Sequence, residues 1–196
     1  MTKSEYINTA IDMANKITKL SESDKKYLIS ILKYKEYAKG DVITDFGDVE
    51  NYRHIIIDGF IRLFHIVDGK EFTLDFYKSP DLCYSIESFI TRQASNYSLE
   101  ACTDVITYRI SHNDFSIAMN NNKNLERLGR KIAEKNYIRR INNQIDRNSL
   151  STMDRFNKVL KDWPNILDDI PQHKIATYLG IAPESLSRIK KEIKKK

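Results

Sequence analysis

The sequence predicts an α+β fold, with an antiparallel β block between a helical lead-in and a long helical end. Three observations carry this prediction. Apolar residues spaced by three and four mark both ends of the chain. The middle, from about Tyr34 to Ser111, holds short runs of β-branched and aromatic residues separated by KGD, FGD, IDG, VDG and KSPD. Charge is divided unevenly as well: residues 1–120 carry 14 Lys and Arg against 18 Asp and Glu, whereas residues 121–196 carry 18 against 9. A chain of 196 residues can bury an ordinary core without disulfides or metal, and the change in composition favours two modest domains.

The lead-in reads as two helices. Ile7, Ile11, Ala14 and Ile17 share one helical face, and LSESDKK is a capping-type start for a second helix through Tyr27, Leu28, Ile31 and Leu32. Within the β block the strongest local signal is FIRLFHIV-DG-KEFTLDFY. Two strand-like runs flank Asp68-Gly69, and a two-residue Asp-Gly link suits a type I′ hairpin turn, in which both central residues take positive φ. Turn signals at intervals of roughly 8–12 residues point to a sandwich, barrel or roll.

From Asn113 the helical period returns. Leu125, Leu128 and Ile132 form one trio and Ile138, Ile141 and Ile145 a second, on nearly the opposite side at ~100° per residue, with the break at Lys135-Asn136. The first half is expected to pack on the β block or a second subunit, and the second half on whatever follows. A short helix, STMDRFNKVLKDW, ends before Pro164.

The terminal segment QHKIATYLGIAPESLSRIKK has the spacing of a helix-turn-helix. Ile175 and Leu179 lie on a first helix, Gly180 ends it, Ile181 anchors the turn, and Pro183 fits the first turn of a second helix, where its missing N–H costs nothing. Leu186 and Ile189 then face inward and small Ala176 lets the helices cross closely. Glu184, Ser185, Ser187, Arg188, Lys190 and Lys191 are left on polar faces. The last nine residues hold six basic groups and one acid, so everything before Arg188 sums to zero charge. Such a block suits a polyanion, through counterion release from nucleic acid or attraction to anionic lipid.

Other classes of function find little support. Cys83 and Cys102 are too few for a four-thiolate cluster, and are expected to be buried apolar filler in a reducing cytoplasm. No apolar run approaches the ~18 residues of a membrane span. No nucleophile–base pair, phosphate loop or zinc spacing emerges, so no catalytic residue, metal ligand or cofactor is expected.

With these motifs in place, the chain resembles the Crp/Fnr family of bacterial transcription regulators along nearly its whole length. KGDVITDFGDVENYRHIIIDGFIRLF is similar to the β-roll of a cyclic-nucleotide-binding domain, and RFNKVLKDWPNILDDIPQHKIATYLGIAPESLSRIKK to the Bacteroidetes branch. The resemblance implies a β-roll sensor domain at 1–121, a dimerisation helix at 122–148 and a helix-turn-helix DNA-binding domain at 149–196. It also implies a cytoplasmic homodimer on a palindromic double-stranded DNA operator, with RNA polymerase as a further partner. Base readout falls on Glu184 and Arg188, four residues apart; Glu accepts from cytosine and Arg donates bidentately to guanine. Gln172, Pro183, Ser185, Ser187, Lys190, Lys191, Lys194 and Lys195 complete the expected DNA contact set. The family often has a second arginine where this chain has Pro183. Its β-wing has no counterpart before Lys196, which leaves the lysine tail as a substitute for wing–phosphate contacts.

The effector cassette departs further. Aligned with the family's Gly-Glu-Leu and Arg-Ser, Pro80-Asp81-Leu82 and Ser95-Asn96 supply no cation for a cyclic phosphate, and Arg92 is out of register. The expected pocket residues are therefore Asp81, Leu82, Ser95 and Asn96, with an effector of unknown chemistry and without cAMP. Two other functions compete. One is a cupin-like metalloenzyme, for which His54, His65, His112 and His173 are scattered over different elements although His54 and His65 could approach across strands. The other is an interaction module with a basic tail and no DNA binding.

Overall fold

A computed structural model describes residues 3–193. The lead-in forms α1 (Lys3–Ile17) and α2 (Glu22–Ile31). Ser21 caps α2 in a full capping box with Asp24, the local chemistry that LSESDKK announced. Eight strands follow: β1 (Lys33–Tyr37), β2 (Val42–Thr44), β3 (Tyr52–Asp58), β4 (Phe60–Val67), β5 (Lys70–Lys78), β6 (Asp81–Cys83), β7 (Ser98–Ala101) and β8 (Val105–Ser111). A short α3 (Ile86–Thr91) interrupts them. Beyond the strands come α4 (His112–Asn121), α5 (Lys123–Ser149), α6 (Thr152–Asp162), α7 (Ile166–Asp169), α8 (Gln172–Leu179) and α9 (Pro183–Ile193).

The strands make two four-stranded antiparallel sheets, β1-β8-β3-β6 and β2-β7-β4-β5, which face each other as a β-roll. The predicted hairpin joins β4 to β5; Asp68 and Gly69 both take positive φ, 50° and 73°, as a type I′ turn requires. Between the sheets lie Ile56, Ile61, Leu63, Leu99, Ala101 and Val105.

Each sheet is also covered on its outer face. Helices α1, α2 and α4 and the start of α5 pack on the first sheet, bringing Ala10, Ile11, Leu28, Leu125 and Leu128 against Ile57, Tyr108 and Ile110. The C-terminal helices pack on the second, where Phe60 and Phe76 join Phe156, Val159, Ile166, Ile175 and Leu186 in one core. The order is therefore helix, sheet, sheet, helix. Strand β4 shows the consequence: Phe60 to Phe64 are all buried, because a strand covered on both faces has no solvent side to keep polar.

Helix α5 behaves differently in its two halves. Leu125 and Leu128 are buried and Ile132 packs against the same cluster, as the first trio predicts. The second trio was expected to pack on the following segment and does not: Ile138, Ile141 and Ile145 are 59%, 38% and 55% exposed. The reason is a competition for α6 and its neighbours, which bury Phe156 and Val159 against the second sheet instead. Asn122 divides α4 from α5 by accepting from the amides of Asn124 and Leu125. Its amide nitrogen, together with that of Asn124, also holds the Asp24 carboxylate at 2.7 and 2.8 Å, tying α2 to the base of α5. These bonds, led by Asn122, keep that carboxyl well below the usual range.

Candidate nucleic-acid interface

The α8–α9 pair is assembled by its turn. Gly180 sits at φ 67° and ψ 36°, its N–H donates to Thr177 O at 3.1 Å, and the Ile181 N–H donates to Ala176 O at 3.0 Å. This crossed pair of bonds closes α8 and needs a left-handed residue, hence glycine. Helix α9 begins at Pro183, with the Ser185 and Leu186 amides returning to Ala182 O at 3.0 and 3.3 Å. Ile175, Ala176, Leu179 and Leu186 are fully inside, and Ile181 and Ile189 pack against the same core.

With α9 held from behind, its other side is open. Pro183, Glu184, Ser187, Arg188 and Lys191 are exposed, Ser185 and Lys190 half-buried. Gln172, at the start of α8, is exposed too. Among the described residues no ion pair engages Glu184, Arg188, Lys190 or Lys191. Glu184 and Arg188 are one helical turn apart on the same face, free to meet separate groups. Lys194 and Lys195 lie outside the described residues.

Helix α8 is pinned to the roll by its other face. Lys174 pairs with Glu100, which Arg62 also holds through Nε at 2.7 Å, and Thr177 Oγ1 lies 2.8 Å from Thr73 Oγ1. Trp163 stands edge-on to Phe60 and Phe76, with ring centres 6.5 and 6.0 Å away, and Tyr178 lies against Phe76 at 5.3 Å. From α5, Arg139 reaches Asp81, Asp75 at 3.1 Å and Phe76 O at 2.8 Å. None of these clasps was foreseen from sequence. The only signal was indirect: acids on β5 and β7 facing a segment rich in Lys and Arg.

The four expected effector residues do not come together. Asp81 and Leu82 lie on β6, where Asp81 is committed to Arg139 and Leu82 pairs in register with Ile55. Ser95 lies in the loop before β7, its Oγ 2.8 Å from Ser85 Oγ and 2.7 Å from Tyr97 O, and Asn96 donates to Glu87 at 3.2 Å. The correction is one of register: α3 folds back so that Ser85, not Asp81, meets Ser95. Beside Ser85 sits a carboxylate rather than a cation. Glu50, 2% exposed, accepts from the Ser85 and Tyr52 amides at 3.2 and 3.0 Å and from Thr44 Oγ1 at 2.9 Å. Burial pushes its carboxyl up, but His54 and these amides outweigh burial and hold it below the ordinary value. Arg92 is spent on capping, donating to Glu50 O and Asn51 Oδ1 at 2.6 Å each.

The remaining titratable groups are dispersed. His54 belongs to one sheet, with its ring beside Tyr37 and Tyr52, and His65 to the other, with its ring beside Phe72. Among the described residues no three His, Cys, Asp or Glu side chains are grouped to hold a metal. Cys83 and Cys102 are buried, and burial raises both thiols, Cys102 to about 11. No helix is long and apolar enough to cross a membrane.

A two-sheet roll, a long helix with an exposed apolar stripe and a terminal helical pair with a polar outer face make an architecture that is also found in solved structures of Crp/Fnr-type regulators. Residues 34–122 match the cyclic nucleotide-binding domain family. Solved structures with the same fold include the c-di-GMP responsive global regulator CLP of Xanthomonas campestris, at TM-score 0.68 and 16% identity over 89% of this chain and 92% of that one. FixK2 of Bradyrhizobium japonicum follows at 0.70 and 17% over 84% and 85%. A Crp/Fnr-family transcriptional regulator from Eubacterium rectale gives 0.69 and 18% over 89% and 84%. Among curated proteins none matches the chain by sequence.

Proposed function

We propose that this chain is a Crp/Fnr-type transcription regulator that binds a palindromic DNA operator as a homodimer in the cytoplasm and works without a cyclic nucleotide. The observation that carries the reading is α9 itself: Leu186, 0% exposed, anchors it while Glu184, Ser187, Arg188 and Lys191 face outward with no partner among the described residues. A helix held in this way fits the major groove, with Glu184 and Arg188 reading base edges and Ser185, Lys190 and Lys191 meeting phosphates. Gln172, at the head of α8, adds a backbone contact, and Lys194 and Lys195 would extend the basic track.

Ile138, Ile141 and Ile145 supply the dimer contact. They recur at the three- and four-residue spacing of a coiled-coil seam and stand exposed in the single chain. Against a cyclic nucleotide stands Glu50, whose buried carboxylate occupies the neighbourhood where a cyclic phosphate would need a positive charge.

Selection of genomic fragments by the purified protein tests the reading and yields the operator. Arg188→Ala is expected to relax preference at one base pair per half-site by about 1–3 kcal/mol, leaving affinity for random DNA nearly unchanged. Equal losses on operator and random DNA would remove Arg188 from base readout, and indifference to DNA at low salt would remove the proposal.

A further inference from the structure

Two arginines in this molecule are buried, and they are treated in opposite ways. Arg62, 2% exposed, is clasped by Glu71 at 2.5 Å and by Glu100 at 2.7 Å, the usual requirement for a cation out of water. Arg53, 8% exposed, has no carboxylate, carbonyl or hydroxyl partner among the described residues, and its Nε is buried without a hydrogen bond. Its guanidinium carbon lies instead 3.6 Å from the Phe115 ring centre, 4.5 Å from that of Tyr84 and 4.9 Å from that of Phe89. Aromatic faces attract a cation but accept no in-plane hydrogen bond, and they leave the buried Nε–H unanswered.

Arg53 also lines a cavity of about 110 Å³ between the first sheet and its helices, otherwise walled by Ala10, Met13, Ala14, Leu28, Met119 and Leu128. Asp81, Lys135 and Asn136 supply its polar margin. The cavity lies on the opposite side of the sheet from the roll interior. Its scale is that of apolar cavities that stay dry and admit a small hydrocarbon, about 150 Å³ for one that takes benzene. One unpaired cation on an apolar wall is the complement of one anion on an apolar tail.

We propose that this cavity is a binding site for a small apolar-tailed monocarboxylate of about four to six carbons, its carboxylate on Arg53 and its tail against Ala10, Ala14, Leu28 and Leu128. Because Leu128 belongs to the base of α5, the ligand would bear on the helix whose far half carries the exposed isoleucines. The proposal does not rest on DNA binding and goes beyond it.

Calorimetry on the full chain tests it with hexanoate, butyrate, hexanol, hexylamine and inorganic phosphate. Hexanoate is expected to bind at least tenfold more tightly than hexanol or hexylamine, from its charge-assisted bonds to Arg53. It should exceed butyrate by about fourfold per added methylene, and phosphate should not displace it. Arg53→Met keeps the apolar stem and should abolish the head-group preference. Ala14→Leu, which fills the cavity and keeps Arg53, should weaken hexanoate more than butyrate, and it decides the matter should Arg53→Met not fold. Absence of binding, indifference to the head group, equal binding of phosphate, or a preference that survives in Arg53→Met overturns the proposal.

Discussion

At the scale of single residues, what holds α9 in place is separable from what α9 would touch. Leu186 is fully buried among Phe156, Ile175 and Leu179, so Leu186→Ala should cost about 2–5 kcal/mol of stability by denaturant titration. With its supporting side chain gone, α9 should also lose operator and random-DNA binding together, unlike Arg188→Ala. The residues of this site were legible because each obeys a local rule: Gly180 where the chain turns left-handed, Pro183 where an N–H is dispensable, and Leu186 and Ile189 on one face. Ser85, Glu50 and Arg53 were not legible. Their roles depend on which side of a strand or loop they occupy and on what lies across from them, and neither is encoded in nearby spacing. Asp81 was misplaced for the same reason, since nothing in KSPDLCYSIESF says where the chain folds back into α3.

At the scale of elements, helix α5 poses the sharpest question, because an apolar stripe left in water must be explained. Tyr137, Ile138 and Ile145 are each more than half exposed, a pattern unlike the scattered single apolar residues of ordinary surfaces. The proposed pairing with a second copy through this stripe would account for it. Ile141→Asp places a charge in the middle of the stripe and is expected to turn the dimer into a monomer by sedimentation or light scattering while the far-ultraviolet spectrum stays helical. Operator affinity should then fall far more than random-DNA affinity, because two half-sites are no longer engaged together. A variant that remains dimeric would put the subunit contact elsewhere. The two trios of α5 could be read from the sequence; which of them would find a partner within the chain could not, because that depends on α6 turning to the second sheet.

At the scale of the whole molecule, the terminal helices and the roll do not have separate cores. Phe60, Phe76 and Cys102 of the roll share one cluster with Phe156, Ile166, Ile175 and Leu186, and Lys174–Glu100 and Thr177–Thr73 ring its edge. A change in composition near residue 120 suggests two modest domains, and the shared cluster joins them. This joint core is what would let a change in the roll reach α9. The chain's one tryptophan, Trp163, stands at the seam against Phe60, Phe76 and Tyr178, so its emission reports the seam directly. Thermal unfolding followed by Trp163 fluorescence and by far-ultraviolet circular dichroism should therefore give one coincident transition, the signature of a single cooperative unit. Phe76→Ala removes the side chain that touches both Trp163 and Tyr178 and should cost about 3–5 kcal/mol. It should also split the curves, with fluorescence changing several degrees before ellipticity as the terminal helices release from a roll that stays folded. Coincident curves in the variant would mean that the terminal helices are held by the Lys174 and Thr177 contacts without the aromatic cluster. Separate curves in the unaltered protein would mean that α9 moves independently of the roll, and a ligand at Arg53 would then have no path to it through this seam.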